Sequence, residues 1–153
     1  EEAEQAVRFT KYPPQGKRSV GISKAHNYGL SFNQYMKKAN EDIALIVQCE
    51  EQEAIKHLPE ILEVEGIDCI FIGAYDLSAS MNKTGQVQSP EVTDAIATIQ
   101  NHCNQEGMPL GIFGGAPEAV KKYKDEGFGL VTVGIDVLMV QKSAKEMLSK
   151  LKD

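Results

Sequence analysis

Two apolar runs separated by one stretch of helical spacing constrain this chain more than anything else in it. The first covers residues 43–50 and ends at Glu50. The second covers 67–78 and carries Gly73-Ala74-Tyr75-Asp76 near its end. A short apolar run bounded by polar residues reads as a strand buried on both faces. Residues 51–63, between the runs, set Ala54, Ile55, Leu58 and Ile61-Leu62 at helical intervals. Strand, helix, strand implies parallel pairing, because the crossover helix returns the chain in its original direction. Glu50 and Asp76 then stand at the C-terminal ends of neighbouring strands, the edge at which α/β sheets and barrels bind ligands. Two hard oxygen donors there suit a divalent cation whose shell is completed by water or substrate. The competing account is structural: acids at strand ends also start the next helix, and Glu50-Glu51 suits a helix N-terminus.

The rest of the chain repeats this rhythm. Residues 1–11 have helical spacing with Ala3, Ala6 and Val7 inward, and Tyr12-Pro13-Pro14-Gln15-Gly16 ends that helix, since proline cannot continue it. The opening Glu1-Glu2-Ala3-Glu4 has no cap ahead of it and reads as the middle of a helix that began earlier. A short strand is expected over 19–23, a loop over 24–33 and a short helix over 34–40. Residues 77–89 read as a polar loop. Ser89-Pro90-Glu91 reads as a helix start, with Ser as N-cap, Pro in the first turn and an acid beside it. That helix runs to 105, with Gly107 as its left-handed terminator. A third strand over 109–114, a helix over 116–126 stopped by Gly127, a fourth strand over 130–136 and a helix over 140–151 complete the chain. Residues 1–153 thus form one domain of four βα units. These fit a doubly wound sheet or half of an eightfold barrel, and the helix-first opening favours the C-terminal half of a barrel.

Charge and cysteine usage narrow the function classes. A net charge of −6 is the wrong sign for a nucleic-acid surface. The longest apolar run is far below a membrane span, and the opening residues carry no secretory pattern. Cys49, Cys69 and Cys103 are an odd number without CxxC spacing, which reads as buried free thiols in a reducing cytoplasm.

Further candidates surround the carboxylate pair. Gln48 lies two residues before Glu50 and so on the same side of its strand; a buried amide there needs a partner, which a ligand or the backbone supplies. Around Gly73-Ala74-Tyr75-Asp76, successive backbone N–H groups can cradle an anion such as a carboxylate. Gly114-Gly115 and Gly134, after the third and fourth strands, offer a rival phosphate site. His26 sits in a loop able to reach the strand ends, whereas His57 and His102 fall in helix patterns as bystanders. No Ser-His-Asp or Cys-His spacing supports nucleophilic catalysis.

Five segments together resemble one family. They are Tyr12-Pro13-Pro14-Gln15-Gly16-Lys17-Arg18 with Gly21, Val47-Gln48-Cys49-Glu50, Leu62-Glu63-Val64-Glu65-Gly66-Ile67-Asp68, the run from Phe71 to Ser78, and Val133-Gly134-Ile135-Asp136. In this order, over nearly the whole chain, they resemble the HpcH/HpaI family of class II pyruvate aldolases, typified by 2,4-dihydroxyhept-2-ene-1,7-dioate aldolase and 2-dehydro-3-deoxyglucarate aldolase. The resemblance implies a (β/α)8 TIM barrel of the phosphoenolpyruvate/pyruvate superfamily, of which this chain is the C-terminal half. It implies a Mg2+, Mn2+ or Co2+ ion held by Glu50 and Asp76, Gln48 against the bound keto acid, and the backbone of Tyr75 and Asp76 on the pyruvate carboxylate. The implied reaction cleaves or forms 4-hydroxy-2-oxo acids, with pyruvate and an aldehyde as partners and the cation stabilising the enolate. A catalytic His with an acidic partner, and an Arg that polarises the keto oxygen, are implied in the N-terminal half and have no counterpart in residues 1–153. Ala74 stands where the family usually has Pro, Tyr75 where it has a small residue, and Lys24 where an Arg is frequent; these departures bear on substrate identity and not on the metal pair. Three other readings remain: a half-barrel that binds metal and keto acid without catalysis, a phosphate-binding half-barrel, and a malyl- or citramalyl-CoA lyase relative, against which the lack of a basic cluster for CoA phosphates counts. Homo-oligomerisation is expected as well, since open sheet edges invite pairing.

Overall fold

A computed structural model describes residues 1–151. Helix α1 (Glu2–Thr10) opens the chain. A 3-10 turn (Lys24–Gly29) and two short helices, α2 (Phe32–Met36) and α3 (Ala39–Asp42), lead to β1 (Ile46–Cys49). Then follow α4 (Gln52–Lys56), α5 (Leu58–Leu62), β2 (Cys69–Ile72), α6 (Ala74–Ser80), α7 (Pro90–Glu106), β3 (Leu110–Gly114), α8 (Pro117–Asp125), β4 (Leu130–Val133) and α9 (Asp136–Ser149). No helix among the described residues is long and apolar enough to cross a membrane.

The four strands form one parallel sheet in chain order, β1-β2-β3-β4. Right-handed crossovers that always step the same way put every covering helix on one face. Burial along the strands agrees. Cys49, Ile70, Ile72, Leu110 and Ile112 enter the core, where they meet Leu58 of α5 and Val92, Ile96, Ile99 and Cys103 of α7. Each such fully buried aliphatic side chain contributes ~1.5–3 kcal/mol. The alternate positions Gln48, Phe71, Phe113 and Thr132 take the other face, in a register that pairs Gln48 with Phe71 and Phe113 with Thr132. A doubly wound sheet reverses its strand order and carries helices on both faces. This sheet does neither; it is four consecutive βα units of a barrel wall, with the barrel's inner face open.

Several local expectations change. Residues 19–23 pair with no strand; their loop is instead organised around His26, described below. The helix expected over 51–63 is two, α4 and α5, divided at His57, because Pro59 has no N–H to give to Ile55 and its ring crowds that carbonyl. The polar loop expected over 77–89 begins as helix α6. Ser78 and Ser80 donate their hydroxyls to the carbonyls of Tyr75 and Leu77 three residues back, so the serine content that suggested a loop is satisfied inside a helix. Ser89 does occupy the N-cap position of α7, but its side chain makes no capping bond and its Oγ is buried without a partner. The strand expected to reach Asp136 stops at Val133, and α9 begins at Asp136, whose Oδ1 accepts the Val137 N–H at 2.7 Å.

The segment between α1 and β1 is held by the buried Lys11 ammonium, which donates to the Asn40 and Ile43 carbonyls at 2.8 and 2.9 Å, and by the Asn40 amide. Asn40 Oδ1 accepts the Tyr12 N–H at 2.7 Å, and Asn40 Nδ2 donates to the Tyr12 carbonyl at 3.0 Å, with Tyr12 itself buried. Asn40→Ala removes both bonds and leaves the Tyr12 N–H unpaired, while the Tyr12 carbonyl keeps the Gly16 N–H at 3.1 Å. An expected loss of ~1–3 kcal/mol would appear as a lowered midpoint in urea unfolding. Asn40→Asp, which keeps only the acceptor, should fall between the two. An unchanged midpoint in Asn40→Ala would show that water replaces both bonds without cost.

Candidate functional site

The C-terminal ends of β1 and β2 adjoin because the parallel ladder continues past both strands, with the Gly73 N–H donating to the Cys49 carbonyl at 3.2 Å. Glu50 is the next residue after that carbonyl. Gly73 in turn caps α6, its carbonyl accepting the Leu77 N–H at 2.8 Å. The two loops are tied a second time: the first N–H of α4, from Gln52, donates to Ser80 Oγ at the end of α6, at 3.0 Å. The segments carrying Glu50 and Asp76 are therefore held together by one backbone bond and one bond from a backbone N–H to a serine hydroxyl.

Gly73 marks the point of convergence. A Cβ built on it would stand 2.6 Å from Gln48 Nε2 and 2.8 Å from both Cβ and Oε2 of Glu50. Only a residue without a side chain leaves room for that amide and that carboxylate over the strand end. Gln48, Tyr75 and Asp76 also line one open concavity of about 260 Å3 on the inner face of the sheet, whose floor and far wall come from Phe71, Phe113 and Thr132. Glu50 is half-buried, and Gln48 and Asp76 are exposed. Phe71, Phe113 and Thr132 were not anticipated. Their signal lay in the period of two: Gln48 pairs with Phe71, Phe71 with Gly111, and Phe113 with Thr132, and Thr132 is the one polar residue of its strand.

The donor set is consistent with a catalytic cation. Glu50 and Asp76 supply hard carboxylate oxygens of the kind Mg2+ and Mn2+ take. Among the described residues no group of three or more His, Cys, Asp and Glu could hold a metal by itself.

The other candidates have structural roles. His26 is fully buried; its Nδ1 accepts the Gly29 N–H at 3.1 Å, and its Nε2 lies 2.8 Å from the Gly21 carbonyl. The Ser23 N–H donates to the same Nε2 at 3.0 Å, and Phe32 packs edge-on against the ring at 5.1 Å. This histidine fixes its own loop, through residues Asn27, Tyr28 and Gly29 in the left-handed region. His57 lies on the surface between Glu53 and Glu60. Gly114 is small because a Cβ there would run into Val120 of α8, and Gly134, at φ +75°, donates to the Gly114 carbonyl at 2.8 Å with Met139 over it. Both glycines thus have a packing reason that needs no phosphate.

All three cysteines are free and buried. Burial pushes the Cys49 thiol up to about 11, with the Glu50 charge adding to it, and burial pushes Cys103 up to about 12. Thiols so raised stay protonated at neutral pH and act as small apolar groups.

Comparison with known proteins bears on the family and the fold. Residues 1–143 match the family described as HpcH/HpaI aldolase/citrate lyase. A 4-hydroxy-2-oxo-heptane-1,7-dioate aldolase of Escherichia coli is 38% identical over 152 residues, which is 98% of this chain and 58% of that protein. The crystal structure of an HpcH/HpaI aldolase/citrate lyase family protein from Burkholderia cenocepacia superposes with a TM-score of 0.90 at 32% identity, covering 99% of this chain and 61% of the other. An HpcH/HpaI aldolase from Desulfitobacterium hafniense superposes at 0.84 with 26% identity, covering 96% of this chain and 57% of the other. The chain thus spans a little under three fifths of the length of the curated relatives it matches.

Proposed function

The chain belongs to the HpcH/HpaI aldolase/citrate lyase family, and we propose that it carries the metal- and keto-acid-binding portion of a divalent-metal-dependent class II aldolase. The reaction is the cleavage or formation of a 4-hydroxy-2-oxo acid, with pyruvate and an aldehyde as the other side. The observation that carries this reading is the convergence of the Gln48 amide and the Glu50 carboxylate on Gly73, one turn from Asp76.

Glu50 and Asp76 hold the cation, taken as Mg2+, Mn2+ or Co2+. When bound, it supplies Lewis-acid charge beside an oxygen that becomes negative as the carbon–carbon bond breaks. Gln48 gives its amide to the keto acid from the strand. The N–H groups of Tyr75 and Asp76 belong to the first turn of α6 and so lack intrahelical acceptors; they receive the substrate carboxylate. Phe71 and Phe113 present an apolar wall, which lowers the local dielectric and strengthens these contacts. The base that moves the proton, and the Arg that polarises the keto oxygen, come on this reading from outside these 153 residues, in the N-terminal half of a complete (β/α)8 barrel. Such a barrel typically needs about 250 residues. We assign the reaction to the cytoplasm, which suits an odd number of buried cysteines without CxxC spacing, and to a homo-oligomer.

The test is calorimetric titration of the full-length gene product with Mn2+ and then pyruvate, paired with pyruvate release from 4-hydroxy-2-oxo-heptane-1,7-dioate, the compound that names the Escherichia coli relative. Asp76→Asn is expected to weaken Mn2+ binding and to remove the dependence of pyruvate affinity on Mn2+. Unaltered Mn2+ affinity in Asp76→Asn, or no pyruvate release from any 4-hydroxy-2-oxo acid by the wild type, sinks the reading.

A further inference from the structure

The concavity beside Asp76 does not end at Tyr75. A narrower cleft of about 30 Å3 adjoins it, and Ala74, Tyr75 and Phe113 line both spaces. Beyond these three the narrow cleft is walled largely by apolar side chains, among them Val87, Ile96, Ile112 and Ala119. Tyr75 is 52% exposed, so its ring is not committed to the core. Its backbone is committed. Ser78, fully buried, donates to the Tyr75 carbonyl at 2.6 Å and accepts the Gly85 N–H at 3.0 Å. That hydroxyl ties the first turn of α6 to the loop that follows it. The result is a large ring carried on fixed backbone at the boundary between the candidate site and an apolar cleft.

Resting on the aldolase reading above, we infer that Tyr75 is the residue that sets specificity on the aldehyde side, by keeping the acceptor's carbon chain out of the apolar cleft and so favouring short aldehydes. The ring takes up volume where an alkyl chain would otherwise run from the site towards Val87 and Ile96. Truncating it would widen the boundary that it shares with Ala74 and Phe113 between the two spaces. Each methylene that then enters leaves water for an apolar wall, and one methylene in such a pocket is worth ~10–200-fold in kcat/KM. The effect is a matter of volume, so the phenol hydroxyl should contribute little to it. Because Ser78 holds the turn through a main-chain carbonyl, side-chain truncation at Tyr75 leaves that anchor in place.

The experiment is the aldol addition of pyruvate to acetaldehyde, butanal and hexanal by the full-length gene product, with kcat/KM measured for each aldehyde. Wild type is expected to prefer acetaldehyde. Tyr75→Ala should raise the hexanal-to-acetaldehyde ratio at least about tenfold, and Tyr75→Phe should keep the wild-type ratio. Tyr75→Leu provides a milder truncation should the alanine variant fail to fold, and its ratio is expected to rise as well. An unchanged ratio in an active Tyr75→Ala or Tyr75→Leu variant overturns the inference and leaves the aldolase reading standing. A wild type inactive with all three aldehydes overturns the aldolase reading, and this inference with it.

Discussion

Glu50→Gln is expected to weaken Mn2+ binding to the full-length gene product by more than about 100-fold, because residues that merely orient a metal's ligands already cost 10–100-fold when changed. The substitution keeps the side chain's size and removes only its charge, so packing over Gly73 is preserved. Thermal unfolding separates this outcome from general damage. A ligand present at 100 times its Kd stabilises the folded state by about 2.7 kcal/mol. After a 100-fold loss of affinity the same ligand concentration equals Kd and contributes only about 0.4 kcal/mol. The Mn2+-induced rise in Tm should therefore shrink by roughly 5–9 °C, at ~2–4 °C per kcal/mol for a protein of this size or somewhat larger. Without metal, a half-buried side chain keeps its size and loses only its charge, so the metal-free Tm should hold. A Glu50→Gln variant that keeps the full Mn2+-induced shift would rule Glu50 out as a ligand, and the strand-end acid would then be a helix-start residue only.

The architecture was legible where one signal governs. The runs over 43–50 and 67–78 became β1 and β2 because apolar content on both faces of a short segment has few other uses, and Gly107 and Gly127 ended α7 and α8 with positive φ as their positions implied. The choice between barrel wall and doubly wound sheet was legible only indirectly, through the helix-first opening and the family resemblance, both of which favoured the barrel. It depends on strand order, and four βα units in sequence do not encode it. The errors have a common form, in which local chemistry was overridden by a contact elsewhere. Ser78 and Ser80 looked like loop residues until their hydroxyls found carbonyls one turn back. Helical spacing ran unbroken through Pro59, while the missing N–H did not. Residues 19–23 had the composition of a strand but no partner in a sheet whose four members were already accounted for. Within the candidate site, Glu50 and Asp76 could be found because strand ends are identifiable one strand at a time. Phe71, Phe113 and Thr132 could not, since their placement beside Gln48 depends on the register between strands.

Gly73→Ala carries the second large expected effect, and it tests the convergence itself rather than any one ligand. The added methyl would lie 2.6 Å from Gln48 Nε2 and 2.8 Å from Glu50 Cβ and Oε2. The carboxylate and amide ends can swing away, but Glu50 Cβ is fixed to the main chain and cannot. Nor can Gly73 retreat easily, because its N–H is bonded to Cys49 and its carbonyl to Leu77. Something must therefore shift at the ends of both strands, at a cost of ~1–3 kcal/mol for an overpacked methyl. The displaced groups are the proposed keto-acid and metal contacts, so Mn2+ affinity should fall together with stability. In Glu50→Gln affinity falls and metal-free stability does not. Gly115→Ala is the control: a Cβ there meets nothing within 4 Å, and the substitution should leave both quantities alone. Urea unfolding and Mn2+ titration of the two alanine variants side by side decide the matter. If Gly73→Ala matches Gly115→Ala in both, the amide and carboxylate do not meet over this glycine, and the strand-end metal site loses its structural basis.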